Sequence, residues 1–219
     1  MPQTLESWFP RWAHELAAAH AGGTSQTFVL HGNVDDLIRT ERRGEIAYTM
    51  LPEFLAGQLF GGWDVVLVYD QVHGPRALAA TPARLEKINQ LIERFIGPVE
   101  TLRATRAPAQ ALVVLHRFLE LALLREGERP SVALILEYAQ LLAPAAAGPY
   151  TSRELAANLA TLLSWAKSPY FKRAPFAFCL ISERLSDLHG SLVQSAHTVK
   201  LELTHPGRTE RLAFLRHAL

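Results

Sequence analysis

The chain has 219 residues, 49% of them hydrophobic and 20% charged, enough for one large domain with a full core and too apolar for a disordered chain. Twenty-two Lys and Arg nearly cancel 21 Asp and Glu, leaving a net charge of +1. That balance argues against the generic electrostatic footprint of a nucleic-acid or acidic-membrane binder. A single cysteine, Cys179, makes no internal disulfide, as expected of an intracellular chain. No apolar run approaches the ~18–20 residues needed to span a bilayer. The N-terminal stretch lacks the basic start and apolar middle of a signal peptide. A soluble, cytoplasmic protein is the expectation, with neither nucleic acid nor membrane as a partner.

In chain order, Thr4 to His20 carries Trp8, Trp12, Leu16 and Ala19 at helical spacing before Gly22-Gly23. Residues 1–23 are therefore expected to form a helix docked on a body spanning 24–219. Five β-rich runs follow: Phe28–Gly32, Trp63–Asp70, Val132–Tyr138, Phe176–Ser182 and Val199–Leu203. The second to fourth are nearly continuously apolar, the pattern of parallel strands covered by helices on both faces. Helices are expected between them at Ile46–Phe60, Pro82–Ile96, Pro108–Arg125, Ser152–Lys167 and Thr209–Leu219. Thr151-Ser-Arg-Glu154 reads as a capping box opening the fourth. Ala109 to Leu124 is apolar nearly all round and reads as core; an exposed face on it would be the best interface candidate. Alternating strands and helices predict a doubly wound α/β domain with a five-stranded parallel sheet.

Candidate functional residues are sparse. Glu137 and Asp70 end apolar strands, where a carboxylate either serves a site or opens a polar loop and pairs with an Arg. Cys179 lies among Phe178, Leu180 and Ile181 and reads as a buried hydrophobe. The nine His residues form no zinc pattern, and no G-x-S-x-G elbow is present. His73-Gly-Pro-Arg76 fits an anion site at Arg76 and a tight turn equally well.

The second half of the chain resembles AAA-family P-loop ATPases. Val132-Ala-Leu-Ile-Leu-Glu-Tyr-Ala139 is similar to a Walker B strand, and Phe178–His189 to the sensor-1 strand and its loop. Val199–Pro206 and Glu210–Leu215 are similar to the last strand, its Pro-containing turn and the following helix. The resemblance covers residues 132–215; residues 28–131 share order and spacing only. It implies an AAA-like core, without the helical lid, in which Glu137, Glu183 and Asp70 occupy degenerate nucleotide-site positions.

The catalytic parts depart from the family pattern. A Walker A motif reads G-x-x-x-x-G-K-[ST], because backbone N–H groups cradle phosphate and the Lys neutralises it. This chain reads Gly32-Asn-Val-Asp-Asp-Leu-Ile-Arg39, with Asp35 and Asp36 where phosphate would lie. Glu137-Tyr138 replaces the Asp-Glu pair that holds magnesium and orients water. Ser182-Glu183 replaces Thr-Asn, and Gln194-Ser-Ala-His197 lacks the arginine presented to a neighbouring subunit. The resemblance thus implies a non-catalytic N-terminal module of a longer AAA-family ATPase, needing no cofactor and serving assembly or partner binding. Its partners would be other AAA modules, in a homo-oligomer or the same chain, and a further protein. Two alternatives stay open. One is an ATP- and Mg-binding domain with an unconventional phosphate loop, with charge from Arg39 or Arg76. The other is an unrelated α/β enzyme whose Asp70, Glu137 and Glu183 hold a metal.

Overall fold

The structure, a computed structural model, describes residues 5–42, 44–125, 127–145 and 152–218. Helix α1 (Arg11–Ala21) leads into β1 (Thr27–Gly32) and a hairpin of β2 (Ile38–Arg42) and β3 (Glu45–Thr49). A short helix α2 (Leu51–Phe54) continues as a π-helical turn, Leu55–Leu59. Strands β4 (Val65–Tyr69) and β5 (Arg76–Ala77) precede helices α3 (Pro82–Ile96), α4 (Val99–Ala104) and α5 (Pro108–Leu124). After β6 (Val132–Leu136) come α6 (Ala139–Leu142), α7 (Arg153–Lys167) and α8 (Pro169–Lys172). The chain then forms β7 (Phe176–Ile181), α9 (Gly190–Val193), β8 (Thr198–Leu203) and α10 (Arg208–Ala218).

The main sheet has six strands in the order β5-β4-β6-β7-β1-β8. Five are parallel, while β5 adds antiparallel to β4, pairing Ala77 with Leu67. The expected five-stranded sheet thus gains a sixth, two-residue strand too short to leave a sequence signal. Successive side chains of the central strands alternate between the two faces of the sheet. Val65, Leu67, Leu134, Phe176 and Phe178 face a cluster containing Ile92, Leu115, Phe118 and Trp165 from α3, α5 and α7. Val66, Val68, Ile135, Ala177 and Cys179 face a second cluster containing Trp12 and Leu16 of α1 and Phe54, Leu55 and Leu59. The doubly wound α/β reading holds.

Helix boundaries follow local chemistry. Thr81 caps α3 by accepting from the Arg84 N–H, with Pro82 at the first helical position. The Ser152 hydroxyl accepts from the Leu155 N–H at 3.2 Å and caps α7; Thr151 of the expected capping box lies outside the described residues. Two expectations need correction. The first helix starts at Arg11 rather than Thr4, because Pro10, with no N–H to donate, occupies its N-cap in extended conformation. Ile46–Phe60 is not one helix. Glu45–Thr49 pairs antiparallel with β2 across a turn in which Gly44 has φ 82°, and helix begins only at Leu51, with Pro52 in its first turn. Strand ends also retreat from the runs read in sequence: Trp63 and Asp64 precede β4, while Glu137 and Tyr138 follow β6.

On α5, Val113 and Leu124 are 66% and 76% exposed, three turns apart with exposed Arg117 and Glu120 between them. They form no continuous apolar face. All of α10 is exposed; its Phe214 meets Tyr48 of β3 edge-on at 4.8 Å. Leu134→Ala, between the two layers, is expected to lower stability by ~2–5 kcal/mol. Val113→Ala is expected to change it by less than ~0.5 kcal/mol. Urea midpoints of the two variants check the burial of β6 and the exposure of this face of α5.

Candidate functional site

The parallel strands deliver their last residues to one edge of the sheet: Gly32 from β1, Asp70 after β4, Glu137 after β6 and Ser182 after β7. In doubly wound sheets this edge is where ligands bind, beside the strand at which the order reverses. Here that strand is β1, between β7 and β8.

The backbone after β1 turns inward. Gly32, with φ 94°, donates its N–H to the Glu183 carbonyl at 2.9 Å. A Cβ at Gly32 would lie 2.6 Å from the Leu203 carbonyl oxygen, so only glycine fits this crossing. The Asn33 N–H donates to the Leu203 carbonyl at 2.8 Å, and the Val34 N–H to the Gly32 carbonyl at 2.9 Å. Three successive donors that a phosphate-binding loop would aim at its anion are engaged within the protein. Asp36 fixes the turn, accepting from the Asn33 side chain at 2.9 Å and the Leu37 N–H at 2.8 Å. The chain then enters β2 rather than a helix, so no helix N-terminus faces the loop.

Beside this loop lies a cavity of about 150 Å³ whose lining includes Asp35, Glu53, Glu137 and Glu183 and, among the described residues, no Lys, Arg or His. Four carboxylates around so small a space repel a polyphosphate. Neither cation named as a charge source lines it. Arg39 pairs with Glu41 at 2.8 Å and lies over the Trp8 ring, 5.9 Å from its centroid.

Arg76 is held by two carboxylates. Asp70, with its side chain 4% exposed, accepts from the Val72 and His73 N–H groups at 2.8 Å, from the His73 ring at 3.0 Å and from Arg76. Arg76 also reaches Glu137 at 3.4 Å. Burial pushes the Asp70 carboxyl up, but its bonds to His73 and Arg76 outweigh this and hold it below its ordinary value. Glu137 is raised: burial dominates, Arg76 offsets part of it, and Asp70 and Glu53 add repulsion. Burial, with Asp70 nearby, pushes the Tyr69 hydroxyl up to about 12, and it donates to the Arg106 carbonyl at 2.8 Å.

Of the three site carboxylates read from sequence, Arg76 joins Asp70 to Glu137, while Glu183 shares only the acidic cavity with Glu137. Among the described residues no three His, Cys, Asp or Glu side chains are grouped to hold a metal, so the three-carboxylate metal site does not form. His73-Gly-Pro-Arg76 is a turn, with the Gly74 N–H on the Asp70 carbonyl at 2.9 Å, and its arginine is committed inward. Cys179 is fully buried and burial pushes its thiol up. Sequence reasoning missed Glu53; its signal is Pro52, which marks a helix start and so places the next residue in a first turn.

A family model described as "AAA+ chaperone, N-terminal Rossmann-like domain" matches residues 2–204. The chain belongs to this family. Among solved structures it is similar to a chain of the E. coli MS115-1 HORMA:CdnC:Trip13 complex, with a TM-score of 0.53 and 17% identity. That match covers 96% of this chain and 57% of the other, and at this identity it shows the fold alone. No curated protein matches the sequence. No helix among the described residues is long and apolar enough to cross a membrane.

The ion cluster of this AAA+ chaperone N-terminal domain has a pH signature. Asp70 is depressed in the folded state, so its contribution is complete above an unfolded value of about 4 and is lost as pH falls through the lower folded value. Asp70→Asn is expected to cost ~1–3 kcal/mol at pH 7 and to flatten the loss of stability below pH 4. Urea unfolding of both proteins between about pH 7 and pH 2.5 measures the two slopes.

Proposed function

We propose that this domain is a non-catalytic module of a larger AAA-family ATPase, serving assembly or the binding of a protein partner. The observation that carries the reading is the inward commitment of the Gly32, Asn33 and Val34 N–H groups beside a cavity lined by carboxylates. Two further losses support it. Tyr138, φ 53° and half exposed, brings no carboxylate to orient a water. Ser182 is buried and donates its hydroxyl to the Arg184 carbonyl at 3.1 Å. The partners proposed are other AAA modules, from a second copy or the same chain, and a separate protein, in the cytoplasm. The similar E. coli chain comes from a complex of HORMA, CdnC and Trip13, which lends support to a role among protein partners. No nucleotide or magnesium is required.

Calorimetric titration with ATP and with ADP, each with magnesium, tests the reading. Binding is expected to be weaker than ~1 mM. Micromolar binding that weakens in Glu137→Gln would replace this reading with a nucleotide-binding domain using an unconventional loop. In a longer parent chain, deletion of the domain is expected to abolish either oligomer formation, seen by sedimentation velocity, or capture of the partner. A truncated parent that assembles and binds normally overturns the proposal.

A further inference from the structure

The opposite edge of the sheet, where β4 begins, carries a groove built from other residues. It has a volume of about 540 Å³ and runs between Arg42 at the end of β2, the turn after the π-helical segment, and the start of α3. Gly57, Gly61, Gly62, Ala80 and Ala83 contribute almost no side chain to it. A second hollow of about 290 Å³ shares Gly62, Arg84 and Lys87 with it and extends along α3 to Arg94. The two adjoin at these shared residues and are treated together as one channel. On α3, Arg84, Lys87, Leu91 and Arg94 follow the 3-4-3 spacing that places them on one helix face.

Its charge is one-sided. Among the described residues four cations, Arg42, Arg84, Lys87 and Arg94, line the channel against one carboxylate, Asp64. Asp64 is already engaged, accepting from the Ser131 N–H at 2.8 Å and its hydroxyl at 2.7 Å. Arg84 donates to the Trp63 carbonyl, which anchors its guanidinium at the centre of the channel. Among the described residues, Arg42, Lys87 and Arg94 are in no ion pair, and all three are exposed. In a chain of net charge +1, the described lining thus carries three more cations than carboxylates.

The geometry points to this channel as the docking site for an acidic peptide segment of a protein partner. Its Asp or Glu side chains pair with Arg42, Lys87 and Arg94, and its backbone lies over the glycine-rich floor. A peptide fits better than a nucleic acid because, among the described residues, no aromatic side chain lines the channel to stack a base, and a net charge of +1 gives the chain no general attraction to a phosphate backbone. The inference rests on the partner-binding reading and places that partner at the sheet edge away from the acidic cavity.

Fluorescence anisotropy with a labelled octapeptide alternating Glu and Gly tests it, with the Gln-Gly peptide and a single-stranded oligonucleotide as competitors. The Glu peptide is expected to bind and the Gln peptide not to. Affinity is expected to fall as salt rises from about 0.05 to 0.3 M. Lys87→Glu with Arg94→Glu is expected to weaken binding at least about tenfold, and Arg42→Glu, on a separate element, to weaken it independently. All three positions are exposed, so circular dichroism should show an unchanged fold. Equal binding of the Gln peptide, indifference to both sets of variants, or tighter binding of the oligonucleotide overturns the assignment. Absence of peptide binding overturns the channel alone, whereas nucleotide binding in the calorimeter overturns the scaffold reading beneath it.

Discussion

The main sheet lies between two apolar layers, and that constraint determines where polar chemistry can occur. Every residue of β4, β6 and β7 is buried, so a charged side chain within them would lose its hydration without a partner. Ionisable groups are therefore displaced to the two strand ends and the helix surfaces. The ends differ in sign. The carboxyl end gathers Asp35, Glu53, Glu137 and Glu183, while the amino end beside β4 gathers Arg42, Arg84, Lys87 and Arg94. A total charge near zero hides this separation.

The hairpin of β2 and β3 stands where a phosphate-binding loop would lead into a helix. A helix starting after β1 would direct several free N–H groups and a positive dipole end at the loop. The hairpin supplies neither, and Gly32 and Asn33 instead use their donors to tie β1 to the residues after β7 and at the end of β8. Those bonds seal the top of the sheet. Nearby, Asp70 and Glu137 share Arg76, and Asp35, Glu53 and Glu183 are exposed to solvent.

The framework was legible where burial leaves a strong pattern. Continuous apolar runs marked β4, β6 and β7, and the helical spacing from Pro82 to Ile96 marked α3. The Ile46–Phe60 segment misleads because its hairpin half is exposed. No core selects between period two and helical spacing there, and Pro52 is the one residue that marks the true start of helix. Pro10 carries the same information for α1. Carboxylates at strand ends were visible because each follows an apolar run. Pairing with an arginine was among the readings, but not which one, since Arg76 and Glu137 meet only through the packing of β4 against β6. The basic channel divides in the same way: the cations of α3 can be read from their spacing, but nothing in the sequence brings Arg42 to them.

The position of β1 also bears on how the molecule is made. It precedes every other strand of the sheet, yet its neighbours are the sheet's last two, with Thr27 paired to both Phe178 and Thr198. Phe28, Val29 and Leu30 must therefore wait, unpaired on both edges, until β7 and β8 have been made. Such long-range closure slows folding and leaves an apolar strand open to the wrong partner in the meantime. The same arrangement makes the finished sheet hard to dismantle piecemeal, because releasing either β7 or β8 opens one whole side of the central strand.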